Sequence, residues 1–212
     1  GGAKEGQLSY DKLLEEASAV LEAAPTTKDD AAFWCYTSGS TGQPKGAIHL
    51  HHVLLVPEPA PKSVFGVTED DIVYSVGRLF FGYAIDVMGS TFYIGASQVL
   101  AKERPTPETV LQIITKYRPT IFYGVPTFFA NMLALKNINR FDLSYIRVCI
   151  SGGEPLPAGI FRQFKERFGI EIIDGIGCTE TVNWYIATRP GRVRTGSTGE
   201  VIPGVELKIV DE

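Results

Sequence analysis

The sequence predicts an α/β fold, a mostly parallel sheet flanked by helices. Three observations carry this expectation. From residue 71 onward, short apolar runs alternate with helical stretches of about ten or more residues, the pattern of strands joined by crossover helices. The chain of 212 residues is 44% apolar and 21% charged, enough to bury a core. Glycine- and hydroxyl-rich segments at 37–46, 151–155 and 175–180 each follow an apolar run, and ligands of such sheets bind at the carboxyl ends of strands.

In chain order, Tyr10 to Ala24 reads as a helix with Leu13, Leu14, Ala17, Val20 and Leu21 on one side, ended by Pro25. Ala31 to Tyr36 reads as a buried strand and Ala47 to Leu50 as a second. VPEPAP at 56–61 carries three prolines and is excluded from a helix interior. DIVYSV (71–76) is a strand, YAIDVMGSTFYIG (83–95) a buried helix, and SQVLA (97–101) a strand. Thr106 caps the next helix, PETVLQIITKYR, with Pro107 in its first turn and Glu108 beside it. TIFYG (120–124) is a strand and PTFFANMLAL (126–135) a helix opened by Pro126. IRVCIS (146–151), LPAGIFRQFKERFG (156–169) and IEIIDG (170–175) read as strand, helix and strand, and VELKIVDE (205–212) as a last strand. The expected organisation is a leading helix and linker over 1–30 and an α/β core segment over 31–212.

Twenty Lys and Arg against 24 Asp and Glu give a net charge of −4, which argues against nucleic acid as the main partner. Cys35, Cys149 and Cys178 match no metal spacing and read as reduced thiols of a cytoplasmic protein. No apolar run reaches membrane-spanning length, so no membrane partner is expected. His49 and His51 would share a strand face near His52, but no carboxylate or cysteine joins them; a satisfied strand end is the favoured reading over a metal site.

The stretch TSGSTGQPKG at 37–46 combines turn-forming glycines, the hydroxyls of Ser38, Ser40 and Thr41, and the charge of Lys45. Glycines bring backbone N–H groups close to an anion, so this is a recipe for holding a polyphosphate. It is not the Walker loop. Counting from Gly39, Pro44 stands where the second glycine belongs, and Gly46 replaces the metal-binding hydroxyl. A plain surface turn is the alternative; the apolar strand before it and the two similar loops downstream favour the phosphate site.

Tyr36 followed by TSGSTG-Q-PKG resembles the signature of adenylate-forming enzymes, the family of acyl- and aryl-CoA ligases, luciferases and peptide-synthetase adenylation domains. GIGCTE at 175–180 resembles the family's second signature, and SGGEPLP at 151–157 the loop it places against adenine. The resemblance implies the central part of the large N-terminal domain of such an enzyme. It also implies a two-step reaction: a carboxylate attacks the α-phosphate of ATP to give an acyl-adenylate, and a thiol, usually coenzyme A, displaces AMP. In that frame Thr37, Ser38, Gly39, Ser40, Thr41, Gly42 and Lys45 bind ATP, with Ser38 to Lys45 on the departing β- and γ-phosphates. Thr179 hydrogen-bonds the α-phosphate and Glu180 holds Mg2+, so Thr179, Glu180 and Lys45 form the catalytic set. Gly152, Gly153 and Glu154 line adenine; Asp174, Gly175, Ile176 and Gly177 close its other side. The family usually carries an aromatic residue at position 176, and here it is isoleucine. Without the resemblance, Glu180 would read as an exposed turn carboxylate and 152–154 as a strand-to-helix turn.

The stretches 77–96, 118–133 and 174–187 resemble benzoate- and hydroxybenzoate-CoA ligases more than fatty-acyl enzymes. The resemblance places Gly82 and Tyr83 along an aryl pocket, Val125 and Pro126 under it, and Asn183 and Trp184 at its end. Plain core packing is the alternative for each. Asn183 stands where benzoate ligases tend to carry histidine, which leaves a hydroxybenzoate, a cyclic non-aromatic acid or a larger aryl acid admissible. The resemblance covers the middle of a full enzyme; the ribose-binding aspartate, hinge and catalytic C-terminal lysine are expected beyond Glu212. The chain alone is therefore expected to be inactive, and a nucleotide-binding segment without catalysis, or adenylation for a carrier-protein thiol, stays open.

Overall fold

The computed structural model describes residue 4 and residues 6–38, 42–54 and 60–210. Gly39, Ser40 and Thr41 of the expected phosphate loop, and the first four residues of VPEPAP, lie outside the described residues.

Helix α1 (Tyr10–Glu16) starts at Ser9, whose hydroxyl accepts from the Lys12 amide, and buries none of its residues. It stops well before Ala24. Ala17 is already extended, and Ser18 both donates to the Val20 carbonyl and accepts from the Val20 amide. A serine that satisfies nearby backbone in this way competes with helical hydrogen bonding.

Strands β1 (Ala31–Thr37) and β2 (Lys45–Leu50) pair antiparallel, with Thr37 opposite Lys45, as a two-stranded sheet of their own. β1 is not the buried strand its composition suggested. Cys35 is buried, but Trp34 and Tyr36 on the other face are 56% and 73% exposed. The run FWCY is apolar on both faces, so side-chain alternation gives no sign of which face is covered. β2 ends at Leu50, and His51 opens a 3-10 turn, so His49 and His51 do not share a strand. His49 stacks on Phe33 at 4.8 Å, and its Nε2 is buried with no hydrogen-bond partner among the described residues.

The other strands form one sheet. A π-helical turn (Ala60–Val64) carries Pro61 at its start, where the missing N–H costs nothing. Then come β3 (Ile72–Ser75), α2 (Gly82–Ile94), β4 (Ser97–Val99), α3 (Pro107–Tyr117), β5 (Ile121–Gly124), α4 (Pro126–Leu133), β6 (Val148–Ser151), α5 (Ala158–Phe168) and β7 (Ile172–Cys178). The chain closes with β8 (Asn183–Ala187) and β9 (Glu200–Val201); residues 205–210 form no strand. The sheet order is β4-β3-β5-β6-β7-β8-β9. The pairs from β4 to β7 are parallel, and β8 and β9 add an antiparallel edge. The parallel helix-flanked sheet is therefore present, and β3 and β4, β5 and β6, and β6 and β7 are each linked by a helix as parallel crossovers require. Thr106 caps α3 as expected, its hydroxyl accepting from the Thr109 amide at 3.2 Å.

Alternation along the strands fills two cores, one on each face. Phe122 of β5, with Phe129 and Phe164 from α4 and α5, fills one; Ile121 and Tyr123 fill the other with Phe65, Ile150 and Ile173. At the amino-terminal edge, Asp71 ties three segments together. It accepts from Thr120 Oγ1 at 2.6 Å, from Arg147 through Nε and Nη2, and from the Thr68 amide at 2.8 Å. Burial pushes its carboxyl upward, but the hydrogen bonds from Arg147, Thr120 and Thr68 outweigh it and hold the pKa at about 2.

Candidate active site

At the opposite, carboxyl edge, β6 ends at Ser151, which pairs with Asp174 of β7. β7 runs three residues past Gly175, where it was expected to end, and turns back as β8. The turn, residues 179–182, is closed by the Val182 amide donating to the Cys178 carbonyl at 3.0 Å. Val182 has φ 50°, an unfavourable backbone for a β-branched residue, and its side chain is buried. This hairpin displays Thr179 and Glu180 above the sheet.

Helix α2 brings the second wall. The Tyr83 hydroxyl donates to the Gly124 carbonyl at the end of β5, at 3.0 Å. Its ring meets Tyr123 and Trp184 edge-on, at 6.2 and 5.5 Å. Burial, with the charges of Asp86 and Asp174, holds its pKa well above the ordinary value, so the phenol stays neutral and donating.

Trp184 of β8 is 4% exposed and lies over two glycines. A Cβ on Gly152 would stand 2.5 Å from the indole Cη2, and one on Gly175 would stand 2.6 Å from Cε3 and Cζ3. These glycines make room for the tryptophan. Gly153 has φ 82° and needs glycine for its backbone.

Between α2 and the hairpin lies a cavity of about 240 Å³. It is lined by Gly82, Tyr83 and Asp86 of α2, by Gly153, and by Gly177, Cys178, Thr179, Val182, Asn183 and Trp184. Seven of the sequence-derived site residues thus meet at one hollow: Gly82, Tyr83, Gly153, Gly177, Thr179, Asn183 and Trp184. Val125 lies just behind, its Cγ1 4.0 Å from the Cβ position of Gly153, and Pro126 is buried at the start of α4. Gly152, Glu154, Gly175, Ile176 and Glu180 flank the cavity in sequence without lining it. The described part of the first loop, Thr37, Ser38, Gly42 and Lys45, belongs to the β1–β2 ribbon and does not line it either.

Asp174 sits below the cavity wall. Its Oδ2 accepts from the Leu156 amide at 3.3 Å, while Oδ1 is buried without a partner among the described residues, as is the neighbouring Ser151 Oγ. Burial raises its pKa to about 6 against the lowering effect of the Leu156 and Gly175 amides. Buried polar atoms without partners are rare, and these two are fully covered, their residues standing outside the cavity lining. Glu180 is exposed, and among the described residues no hydrogen bond or ion pair engages it. One free carboxylate fits Mg2+, which keeps several waters and shares substrate phosphate oxygens.

Sequence reasoning missed Asp86, Cys178 and Val182. Asp86 had a legible signal: it is a carboxylate in an apolar helix, three and four residues from Tyr83 and Gly82 and so on their face. Val182 had none, since its place depends on the turn.

A family model described as "AMP-binding enzyme" matches residues 3–212. The benzoate–CoA ligase of Thauera aromatica is 42% identical over 215 residues, covering 100% of this chain and 40% of that protein. A 4-hydroxybenzoate–CoA/benzoate–CoA ligase of Rhodopseudomonas palustris is 38% identical, with 100% and 40% covered. Among solved structures, the anthranilate CoA ligase AuaEII in complex with anthranoyl-AMP superposes with a TM-score of 0.87 at 39% identity, covering 100% of this chain and 42% of that one. A benzoate CoA ligase from Burkholderia xenovorans LB400 superposes with a TM-score of 0.77 at 39% identity, covering 92% and 39%. The chain spans about two fifths of the length of these curated relatives.

Proposed function

The chain belongs to the AMP-binding enzyme family, and from that premise we propose that the protein carrying it joins an aromatic carboxylic acid to coenzyme A at the expense of ATP. A carboxylate oxygen of the acid attacks the α-phosphorus, the bond to pyrophosphate breaks, and an aryl-adenylate forms. The sulfur of coenzyme A then attacks the acyl carbon, and AMP leaves with the electron pair of the cleaved C–O bond. One observation carries this reading: a hydroxyl-bearing turn, Thr179, and flat aromatic walls, Tyr83 and Trp184, line the same cavity at the carboxyl edge of the sheet.

In this reading Thr179 donates to the α-phosphate, where charge builds during transfer. Gly152, Gly153, Glu154, Asp174, Gly175, Ile176 and Gly177 surround adenine. Thr37 to Gly42 and Lys45 bind ATP, with Ser38 to Lys45 on the β- and γ-phosphates. Tyr83, Asn183 and Trp184 enclose the ring, with Val125 and Pro126 behind. Glu180 holds Mg2+, which when bound offsets the charge of the phosphates. Residues 1–30 form a leading segment and 31–212 the adenylation core. Three free thiols support a reducing, cytoplasmic setting, and an aryl-CoA product suits the breakdown of aromatic acids. No described helix is long and apolar enough to cross a membrane.

The test is pyrophosphate and AMP release by the full-length protein with a panel of acids. Release with benzoate or its hydroxy and amino derivatives is expected. Release with long-chain fatty acids and not with aryl acids would overturn the aryl assignment.

A further inference from the structure

Asp86 is a carboxylate, 8% exposed, on the wall of a cavity otherwise built from glycine, aromatic rings, Val182 and small polar groups. Its place along α2 gives the cavity a direction. A Cβ on Gly82 would stand 3.9 Å from Thr179 Cα and 3.6 Å from Val182 Cγ2, so the first residue of α2 abuts the Thr179 turn. Asp86 is four residues further, about 6 Å along the axis at the helical rise, on the same face. The cavity therefore has a Thr179 end and an Asp86 end, with Tyr83 between them in the helix and Trp184 on the facing strand.

We propose that Asp86 is a specificity-determining residue that selects aryl acids bearing a hydrogen-bond donor, an amino or hydroxyl group, on the ring edge remote from the reacting carboxylate. This rests on the aryl-adenylating reading above. With the acid's carboxylate at Thr179, its ring lies in the cavity against Tyr83 and Trp184, which touch each other edge-on, and its 3- or 4-substituent meets Asp86. The reverse orientation sets two carboxylates against each other and is disfavoured. Asp86 also engages a neighbour within the fold. A carboxylate has about four acceptor positions, and Asp86 lines the cavity, so its side chain faces any ligand held there. A buried acceptor discriminates strongly, because an apolar substituent of equal size strips its water and returns no hydrogen bond. An unsubstituted ring leaves the same end of the cavity unfilled.

The test compares size-matched pairs in the full-length protein: 4-aminobenzoate against 4-methylbenzoate, the same pair at position 3, and the same pair at position 2. Pyrophosphate release gives kcat/KM for each acid in wild type, Asp86→Asn and Asp86→Ala. Wild type is expected to favour the amino over the methyl acid by about 10-fold or more at position 3 or 4. Asp86→Ala should shrink or invert that ratio by about 10-fold, and the near-isosteric Asp86→Asn should weaken it less, which keeps the comparison if the alanine variant folds poorly. The ratio at position 2, beside the carboxylate and far from Asp86, should change little. An unchanged ratio at positions 3 and 4 in both variants, or a change confined to position 2, overturns the role of Asp86 while leaving aryl activation standing. Activation of fatty acids alone would overturn both.

Discussion

Asp71 and Asp174 are both buried, and both stand at the edge of the same parallel strands, at opposite ends. At the amino edge, Asp71 is held by Thr68, Thr120 and Arg147, and its pKa falls to about 2. At the carboxyl edge, Asp174 keeps one oxygen without a partner among the described residues, and its pKa rises to about 6. The first carboxylate is an internal joint whose needs are met by the protein. The second is left with capacity, beside the cavity of Thr179, Tyr83 and Trp184. The difference separates a carboxylate whose hydrogen bonds the fold supplies from one that the fold leaves partly unmet.

The comparison is most easily broken at its functional end. If Glu180 holds Mg2+ as proposed, Glu180→Gln in the full-length protein should lower pyrophosphate release by roughly 100-fold, since metal charge would act on the transferring phosphoryl group. Its melting temperature should stay near wild type, because an exposed turn substitution is usually worth no more than about 0.5 kcal/mol. An unchanged rate in folded protein would return Glu180 to the role of a solvated turn residue.

At the amino end the expected effect is on stability alone. Asp71→Ala should cost about 3 kcal/mol in denaturant unfolding, the lower range for breaking a buried pair, because Arg147 is partly exposed. The activity of the molecules that remain folded should be unaltered. The lowered pKa fixes the sign with pH. The Asp71 contribution is present above about pH 4 and is lost as pH falls toward 2.

Gly152→Ala probes the packing between the two loops. A Cβ there would stand 2.5 Å from Trp184. The indole must shift into the cavity, and the KM for the aryl acid should rise by about 10-fold. Trp184→Phe in the same background should recover part of that loss; no recovery would mean that the glycine serves another contact.

The smallest effect sharpens the contrast. Asp174 has a raised folded pKa, so its ionisation opposes folding, and its share of stability falls as pH rises from about 4 to 6. Asp174→Asn should therefore gain on the order of 1 kcal/mol at pH 8 and nothing at pH 3.5. Thermal melts at the two pH values measure this, and a loss at pH 8 would contradict it.

Much of this was legible in the chain. Strands and helices from 71 to 175 follow from period and caps, because Thr106, Pro107 and Pro126 mark helix starts by local chemistry. The gathering of Thr179 with Gly153 follows the rule that ligands sit at strand carboxyl ends, whereas Tyr83 was expected there only from the family resemblance. What failed has physical reasons. β1 is apolar on both faces, so its place in a separate ribbon is a tertiary fact. β7 continues through Gly175 and Gly177 because a hairpin partner, β8, supplies hydrogen bonds that no local pattern announces. Gly152 and Gly175 read as nucleotide contacts; that they also make room for Trp184, distant in sequence from Gly152, is a packing role that no local pattern announces. His49 read as satisfied, and its Nε2 finds no partner among the described residues.

The most direct measurement is a crystal structure of the full-length protein with a non-hydrolysable aryl-sulfamoyl adenosine, a mimic of the aryl-adenylate. The account predicts the ring in the cavity against Tyr83 and Trp184, the sulfamoyl group at Thr179, and the adenine beside Asp174. Adenosine bound elsewhere, or a ring lying outside the cavity between α2 and the β7–β8 hairpin, would contradict it.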